Sequence, residues 1–231
     1  MIGIIGAMDE EVAMLKEKLT EVQVETKAAM DFYKGKLEGK DVVVVRSGIG
    51  KVNAAMCAQI LADVYHADHV INTGIAGSLK AEINIGDIVL STDALQHDMD
   101  ATGFGYEPAE IPLMGKKTFE ADASLRSLIA ETCREVNPEI GVFEGRVVSG
   151  DQFISDGDVK NRLVRMFAPY CTEMEGAAIA QAAWLNQIPF VIIRAISDKA
   201  DGSAHMDYSE FEAKAIEHTV RLVEAAAAKL A

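Results

Sequence analysis

Carboxylates gather at three places in this chain, each just past an apolar run. Asp9-Glu10-Glu11 follows Ile2-Gly3-Ile4-Ile5-Gly6-Ala7-Met8. Thr172-Glu173-Met174-Glu175-Gly176 closes a short run from Tyr170. Arg194-Ala195-Ile196-Ser197-Asp198 follows Pro189-Phe190-Val191-Ile192-Ile193. Apolar, β-rich runs of this kind read as strands buried on both faces. Open α/β sheets bind ligands in the crevice outside the carboxyl ends of such strands. Three acidic clusters at three strand ends therefore point to one site of acid–base chemistry. A buried carboxyl is pushed towards its protonated form, and a positioned acid or base accelerates a reaction by about 10²–10⁴-fold. Taken singly, each cluster reads as readily as a helix cap, and the coincidence of three favours the site.

The elements that must hold these groups alternate along the chain. Ile2 to Ala7 reads as a strand, and Asp9 to Leu19 as a helix with Val12, Leu15 and Leu19 on one face. Phe32–Leu37 and Asp41–Arg46 read as a hairpin around Glu38-Gly39-Lys40. Gly48-Ile49-Gly50 opens a second helix, with Val52, Met56, Ile60 and Val64 four apart. His69 to Thr73 reads as a strand ending in Gly74-Ile75-Ala76-Gly77, and Asp87 to Ser91 as another. A loop from Gln96 to Lys117 is long enough to be functional rather than idle. A helix around Leu125, Leu128, Ile129 and Val136 stops at Asn137-Pro138. Then come a strand from Gly141 to Ser149, a helix from Asp156 to Met166, a short strand from Tyr170 to Met174 and an Ala-rich helix from Gly176 to Asn186. The last strand runs from Phe190 to Ile196 and the last helix from Ser209 to Leu230. The alternation predicts a three-layer α/β/α domain with a largely parallel sheet and one antiparallel hairpin.

Composition narrows the function. The 231 residues carry a formal net charge of −14 and are 49% hydrophobic. That length supports one domain over residues 1–231 with a substantial core, and that charge disfavours nucleic-acid and anionic-membrane partners. No apolar run approaches the ~20 residues of a membrane span. The segment before Asp9 has no basic flank, so it does not read as a signal peptide. Cys57, Cys133 and Cys171 are widely spaced and odd in number, which argues against a metal site or disulfide framework and for a reducing cytoplasm.

Four other motifs have plainer readings beside the functional one. Gly48-Ile49-Gly50-Lys51-Val52-Asn53 fails as a dinucleotide fingerprint, because Asn53 stands at the third glycine position. Gly74-Ile75-Ala76-Gly77 is either a backbone cradle for a ligand oxygen or a tight turn. His97-Asp98-Met99-Asp100 is too thin a ligand set for a metal and reads as a solvated loop. Phe153, just past a strand end, suits stacking on a flat ring, though a core position is the default.

In combination these segments resemble the bacterial 5′-methylthioadenosine/S-adenosylhomocysteine nucleosidases of the purine nucleoside phosphorylase superfamily. The resemblance rests on Gly3-Ile4-Ile5-Gly6-Ala7-Met8 with Glu10-Glu11, Ser47-Gly48-Ile49-Gly50-Lys51, Asn72-Thr73-Gly74, Gly86-Asp87-Ile88-Val89, Ser149-Gly150-Asp151, Glu173-Met174-Glu175 and Arg194-Ala195-Ile196-Ser197-Asp198. It covers nearly the whole chain. It implies a nucleoside phosphorylase-like α/β/α sandwich around a twisted mixed sheet, and a hydrolase that splits the N9–C1′ bond of adenine thionucleosides. It implies no cofactor and no metal. By the same resemblance Asp198 protonates adenine N7 and Ser197 orients it. Glu11 holds and activates water, and Arg194 orders both. Glu175 grips the ribose hydroxyls and Met174 packs under the sugar. Phe153 stacks on adenine, the Ile154 backbone reads its edge, and Tyr208 lies over the sugar. Ala7, Met8, Ile49, Ile75, Ala76, Gly77 and Glu173 complete the binding set. Phe104 and Pro112 reach across a homodimer interface to the partner's alkylthio pocket, and the loop bearing Phe104 exposes Tyr106, Ile111, Leu113 and Met114 as well.

The chain departs from that family at three points. Ile75 stands where some relatives carry Ser, so the backbone from Gly74 to Gly77 must compensate. Ala101 is smaller than usual near the alkylthio pocket. Lys199 beside Asp198 is expected to point outward into solvent. A phosphorylase of the same superfamily and a hydrolase of another purine-like nucleoside, such as a menaquinone-pathway one, remain open alternatives, as does a nucleoside-binding module without activity.

Overall fold

The computed structural model describes residues 1–202 and 211–230 in full, and 204–210 as backbone of the last helix. Its elements follow the expected alternation. β1 (Ile2–Gly6), α1 (Asp9–Glu17), β2 (Thr20–Lys27), β3 (Met30–Leu37), β4 (Lys40–Arg46) and α2 (Lys51–Asp63) form the first half. β5 (His69–Ser78), β6 (Ile88–Gln96), β7 (Phe119–Glu120) and α3 (Ala123–Val136) come next. β8 (Val142–Ser149), α4 (Gly157–Phe167), β9 (Cys171–Glu173), α5 (Gly176–Leu185), β10 (Phe190–Asp198) and α6 (Ala204–Lys229) complete the chain.

One ten-stranded mixed sheet runs β10-β6-β8-β9-β5-β1-β4-β3-β2, with β7 alongside β6. β1, β4, β5 and β10 are parallel neighbours, each with a central run buried on both faces that is mostly apolar in β1, β4 and β10. Helices cover both faces. α1, α3 and α6 bury Val12, Leu15, Leu125, Ile129, Ala215 and Val223 on one side. α2 and α5 bury Cys57, Leu61, Ala177 and Ile179 on the other. The Ala-rich α5 brings its backbone close to the sheet, and seven of its ten residues are buried.

Half of this sheet is not open. β10 pairs with β5 as well as with β6, so β5, β10, β6, β8 and β9 close on one another. Register shifts in β6 between Ser91 and Ala94, and in β10 between Ile196 and Asp198, supply the local bends that closure needs. The closed strands do not all run the same way. β9 is antiparallel to β5, and β6 is antiparallel to β10. The three acidic clusters therefore do not share one edge of a flat sheet. Thr172 pairs with Gly77, so closure brings the carboxyl end of β9 alongside that of β5.

Two assignments change. Gly74 to Gly77 is not a turn: β5 continues to Ser78, and those residues pair with β10. The stripe of Val52, Met56 and Val64 on α2 faces out, while Ala54, Cys57, Ala58 and Leu61 face the core. β2, unforeseen in the sequence, is an edge strand exposed along nearly its entire length.

Candidate active site

A cavity of about 330 Å³ opens where these strand ends meet, within the range of small-molecule sites. Ala7 and Met8 enter it from the end of β1, and Ile49 from the turn after β4. Ile75, Ala76 and Gly77 come from β5, and Phe153 from the segment after β8. Thr172, Glu173, Met174 and Glu175 come from β9 and the start of α5, and Ser197 and Asp198 from the end of β10. A side chamber adds Gln152 and Ile154 beside Phe153 and Asp198. None of these lining residues is a lysine or arginine.

Glu11 lies just behind this wall and is 4% exposed. The first turn of α1 points its carboxylate back at the strand ends. Oε2 accepts from the amides of Ala7 at 2.6 Å and Met8 at 3.0 Å. Oε1 accepts from the amide of Ile75 at 3.2 Å. So Glu11 caps α1 and also binds three residues that line the cavity. Burial pushes its carboxyl above the usual range, against the opposing pull of the Arg194 cation and those amides. The backbone at Ile75 thus supplies a contact that its aliphatic side chain does not.

Arg194 is 2% exposed, and its charge is answered inside the protein. Nη2 donates to Glu173 Oε2 and, at 2.6 Å, to Asn72 Oδ1; Nη1 donates to the Ile193 carbonyl at 3.1 Å. Removing one partner of a buried pair like this leaves an uncompensated charge and costs about 3–5 kcal/mol. Glu173 is equally occupied. Its Oε2 accepts from the amides of Glu175 at 3.1 Å and Gly176 at 2.7 Å, and its Oε1 accepts from Ser149 Oγ. It anchors the start of α5 against Arg194.

Glu175 is free of such an ion pair. Its Oε1 accepts from the Gly50 amide at 2.8 Å. Burial, reinforced by the neighbouring Glu173 charge, pushes its carboxyl up to about 8. Asp198 is 2% exposed and lines the same cavity. Its Oδ2 accepts from Ser197 Oγ at 2.9 Å and its Oδ1 from the Ala200 amide at 2.7 Å, which fixes the carboxyl plane. Lys199 is half-buried rather than freely solvated: its ammonium donates to the Ile83 carbonyl. The site thus brings together two buried carboxyls with raised proton affinity and an oriented Asp–Ser pair. That is the equipment for acid–base work on a neutral ligand.

Phe153 is 45% exposed and half open to the cavity, while Ile154 is buried beside it. Phe104 is 89% exposed and, like Pro112, is absent from the lining of its own cavity. The Tyr208 side chain lies outside the described residues. Ile111 and Met114 pack against the core rather than standing in solvent, but Leu113 is 95% exposed. His97-Asp98 is not a freely solvated loop, because Asp98 Oδ1 accepts from Lys51 Nζ at 2.6 Å. No group of three metal-ligating side chains occurs among the described residues. The cysteines are buried and unpaired. Sequence reasoning passed over Thr172 in the wall and the supporting roles of Ser149 and Asn72. A buried arginine implies acceptors, which is the signal that would have led to Asn72.

Comparison with known proteins agrees with this geometry. The model of the phosphorylase superfamily matches residues 1–228. A 5′-methylthioadenosine/S-adenosylhomocysteine nucleosidase of Bacillus thuringiensis subsp. konkukian is 41% identical over 226 residues, covering 96% of each chain. The crystal structure of such a nucleosidase from Neisseria meningitidis, in complex with methylthio-immucillin-A, superposes with a TM-score of 0.95 at 36% identity over 99% of each chain. A futalosine hydrolase mutant of Helicobacter pylori superposes with a TM-score of 0.94 at 30% identity, again over 99% of each chain.

Proposed function

The chain belongs to the phosphorylase superfamily, among its 5′-methylthioadenosine/S-adenosylhomocysteine nucleosidases, and on that basis we propose that it hydrolyses the N-glycosidic bond of these two nucleosides. 5′-Deoxyadenosine is a further substrate. The products are adenine and the corresponding thioribose, which places the reaction in methionine salvage and methyl-cycle recycling. The whole chain acts as one nucleosidase domain, without cofactor, in the cytoplasm and as a homodimer.

One observation carries this reading. Among the described residues the cavity lining offers carboxyls and backbone amides but no lysine or arginine, and the nearby Arg194 is already committed to Glu173 and Asn72. Phosphate recognition relies on cationic forks, so a water nucleophile suits this wall better than a phosphate dianion.

Each side chain then has a task. Adenine is a poor leaving group until its ring is protonated. Asp198, held by Ser197 and the Ala200 amide, delivers that proton to N7. The sugar gains oxocarbenium character as the bond stretches, and the carboxylates around it favour that cation. Glu11 accepts the proton of the attacking water, and the amides of Ala7, Met8 and Ile75 hold it in place. Glu175 accepts from the ribose hydroxyls, Met174 packs beneath the sugar, and Phe153 stacks on the base. The partner's Phe104 and Pro112 close over the alkylthio tail, consistent with their absence from this subunit's own cavity lining.

Similarity to a futalosine hydrolase supports a second reading, the same bond cleavage on a different purine-like nucleoside. Initial rates with methylthioadenosine, adenosine, inosine and futalosine at equal concentration separate the two. Methylthioadenosine should be turned over fastest. Faster turnover of futalosine or inosine would overturn the substrate assignment.

A further inference from the structure

Two successive backbone amides hold two carboxylates that arrive from different parts of the chain. Gly50 N–H donates to Glu175 Oε1 at 2.8 Å, and Lys51 N–H donates to Asp151 Oδ1 at 2.8 Å. Both amides belong to the start of α2, where unpaired N–H groups and the helix dipole favour negative charge. Asp151 is held a second time: its own amide donates to Asp98 Oδ2 at 2.9 Å. Asp98 is fixed in turn by Lys51 Nζ at 2.6 Å, and the same ammonium donates to Gln96 Oε1 at 3.0 Å. Lys51 therefore touches the segment after β8 through its backbone and the end of β6 through its side chain.

The two carboxylates lead to different ends of the cavity. Glu175 lines the cavity itself, and Asp151 stands two residues before Phe153 in a stretch with no helix or strand. The two donors are on adjacent residues, and their planar peptide units meet at the Gly50 Cα. A displacement of this turn therefore bears on both the Glu175 and the Asp151 contacts. The turn is shaped by Gly48 at φ +84° and Gly50 at φ +97°, backbone settings that favour glycine.

We propose that Asp151 is a positioning residue that, through the start of α2, couples the loop bearing Phe153 to the carboxylate of Glu175. Occupancy of the base end of the cavity fixes the turn and so prepares Glu175 for the sugar; occupancy of the sugar end does the reverse. This rests on the assignment of Phe153 to the base and Glu175 to the ribose.

The test is the affinity of adenine measured by calorimetry with and without saturating methylthioribose, in wild type, Asp151→Ala and Asp151→Asn. In the wild type methylthioribose should tighten adenine by at least ~5-fold, the lower end of ordinary coupling between sites. Asp151→Ala should bring that ratio close to one. Asp151→Asn should restore it, because an amide oxygen still accepts from the Lys51 N–H. Lys51→Met keeps the backbone donor and loses the Asp98 anchor, so it should lower the ratio even if Asp151→Ala folds poorly. A purely structural role would weaken both ligands and leave the ratio intact, which would overturn the proposal, as would a ratio of one in the wild type. Failure of the wild type to bind either product would instead remove the nucleosidase reading on which the proposal stands.

Discussion

The amide of Ile75 donates to Oε1 of Glu11 at 3.2 Å, tying the middle parallel strand to the first helix at the cavity wall. The contact depends on the residue before it. A Cβ on Gly74 would lie 2.4 Å from Glu11 Oε1 and 3.2 Å from Arg194 Nη1. Glycine is needed here for the close approach of a carboxylate rather than for a turn.

Gly74→Ala should therefore displace the Glu11 carboxylate while leaving the strand pairing in place. The account expects kcat to fall by at least ~10², as for loss of one acid–base group, with a far-ultraviolet circular dichroism spectrum unchanged. Retention of full kcat would mean that Glu11 does not act from this position.

Asp198→Asn keeps a group able to receive the Ala200 amide but cannot deliver a proton to N7. Expect a loss of at least ~10² in kcat on methylthioadenosine. A nucleoside analogue whose leaving group needs no protonation should be far less affected. Equal slowing of both would make Asp198 structural.

Glu175 carries a measurable stability cost. Its carboxyl is raised from 4.5 to about 8 in the folded protein by burial and by the Glu173 charge. The folded state holds this proton more tightly than the unfolded chain does. Its contribution to stability is therefore complete below about 4.5 and is lost as pH rises through about 8. Glu175→Gln keeps an acceptor for the Gly50 amide and never pays that cost. Its Tm should match the wild type near pH 4.5 and exceed it at pH 8 by about 2–4 °C for each kcal/mol recovered. Thermal melts across that window check it. A Tm gap that narrows with rising pH would contradict the assignment.

Much of this was legible in the residues because acidic clusters after apolar runs carry a physical reason to be where they are. Glu11, Glu175 and Asp198 all reach the cavity wall or lie just behind it. What escaped the sequence depends on neighbours distant in the chain. β2 has no buried face, so it leaves no period-two pattern to detect. The core side of α2 is made of Ala54, Cys57, Ala58 and Leu61, and the larger residues at four-residue spacing face outward. Gly74 and Gly77 punctuate the sequence like a turn, yet each is small because something crosses close to the strand. For Gly77 it is Ala200 and Asp198, each 2.8 Å from a notional Cβ. Closure of β10 onto β5 could not be inferred from elements that each look like part of an open sheet.

The outward face of α2 bears on assembly. Val52 is 70% exposed, Met56 44% and Val64 45%; Leu185, at the end of the neighbouring α5, is 56% exposed. Together with Phe104 and Leu113 this is apolar surface of the kind that marks protein–protein contact. The protein should be a dimer at micromolar concentration by light scattering. Met56→Glu should produce monomers and lower turnover of methylthioadenosine more than that of adenosine, which lacks the alkylthio tail. A monomeric wild type with full activity would contradict the dimer.

Water activated by Glu11 is the proposed nucleophile, at a wall whose described residues include no lysine or arginine. The most direct measurement is chromatography of the sugar product from methylthioadenosine, with and without added phosphate. Free methylthioribose should form at a rate indifferent to phosphate, and its formation should be lost in Glu11→Gln although that variant still binds the nucleoside. Methylthioribose-1-phosphate as the main product would contradict it and make the protein a phosphorylase.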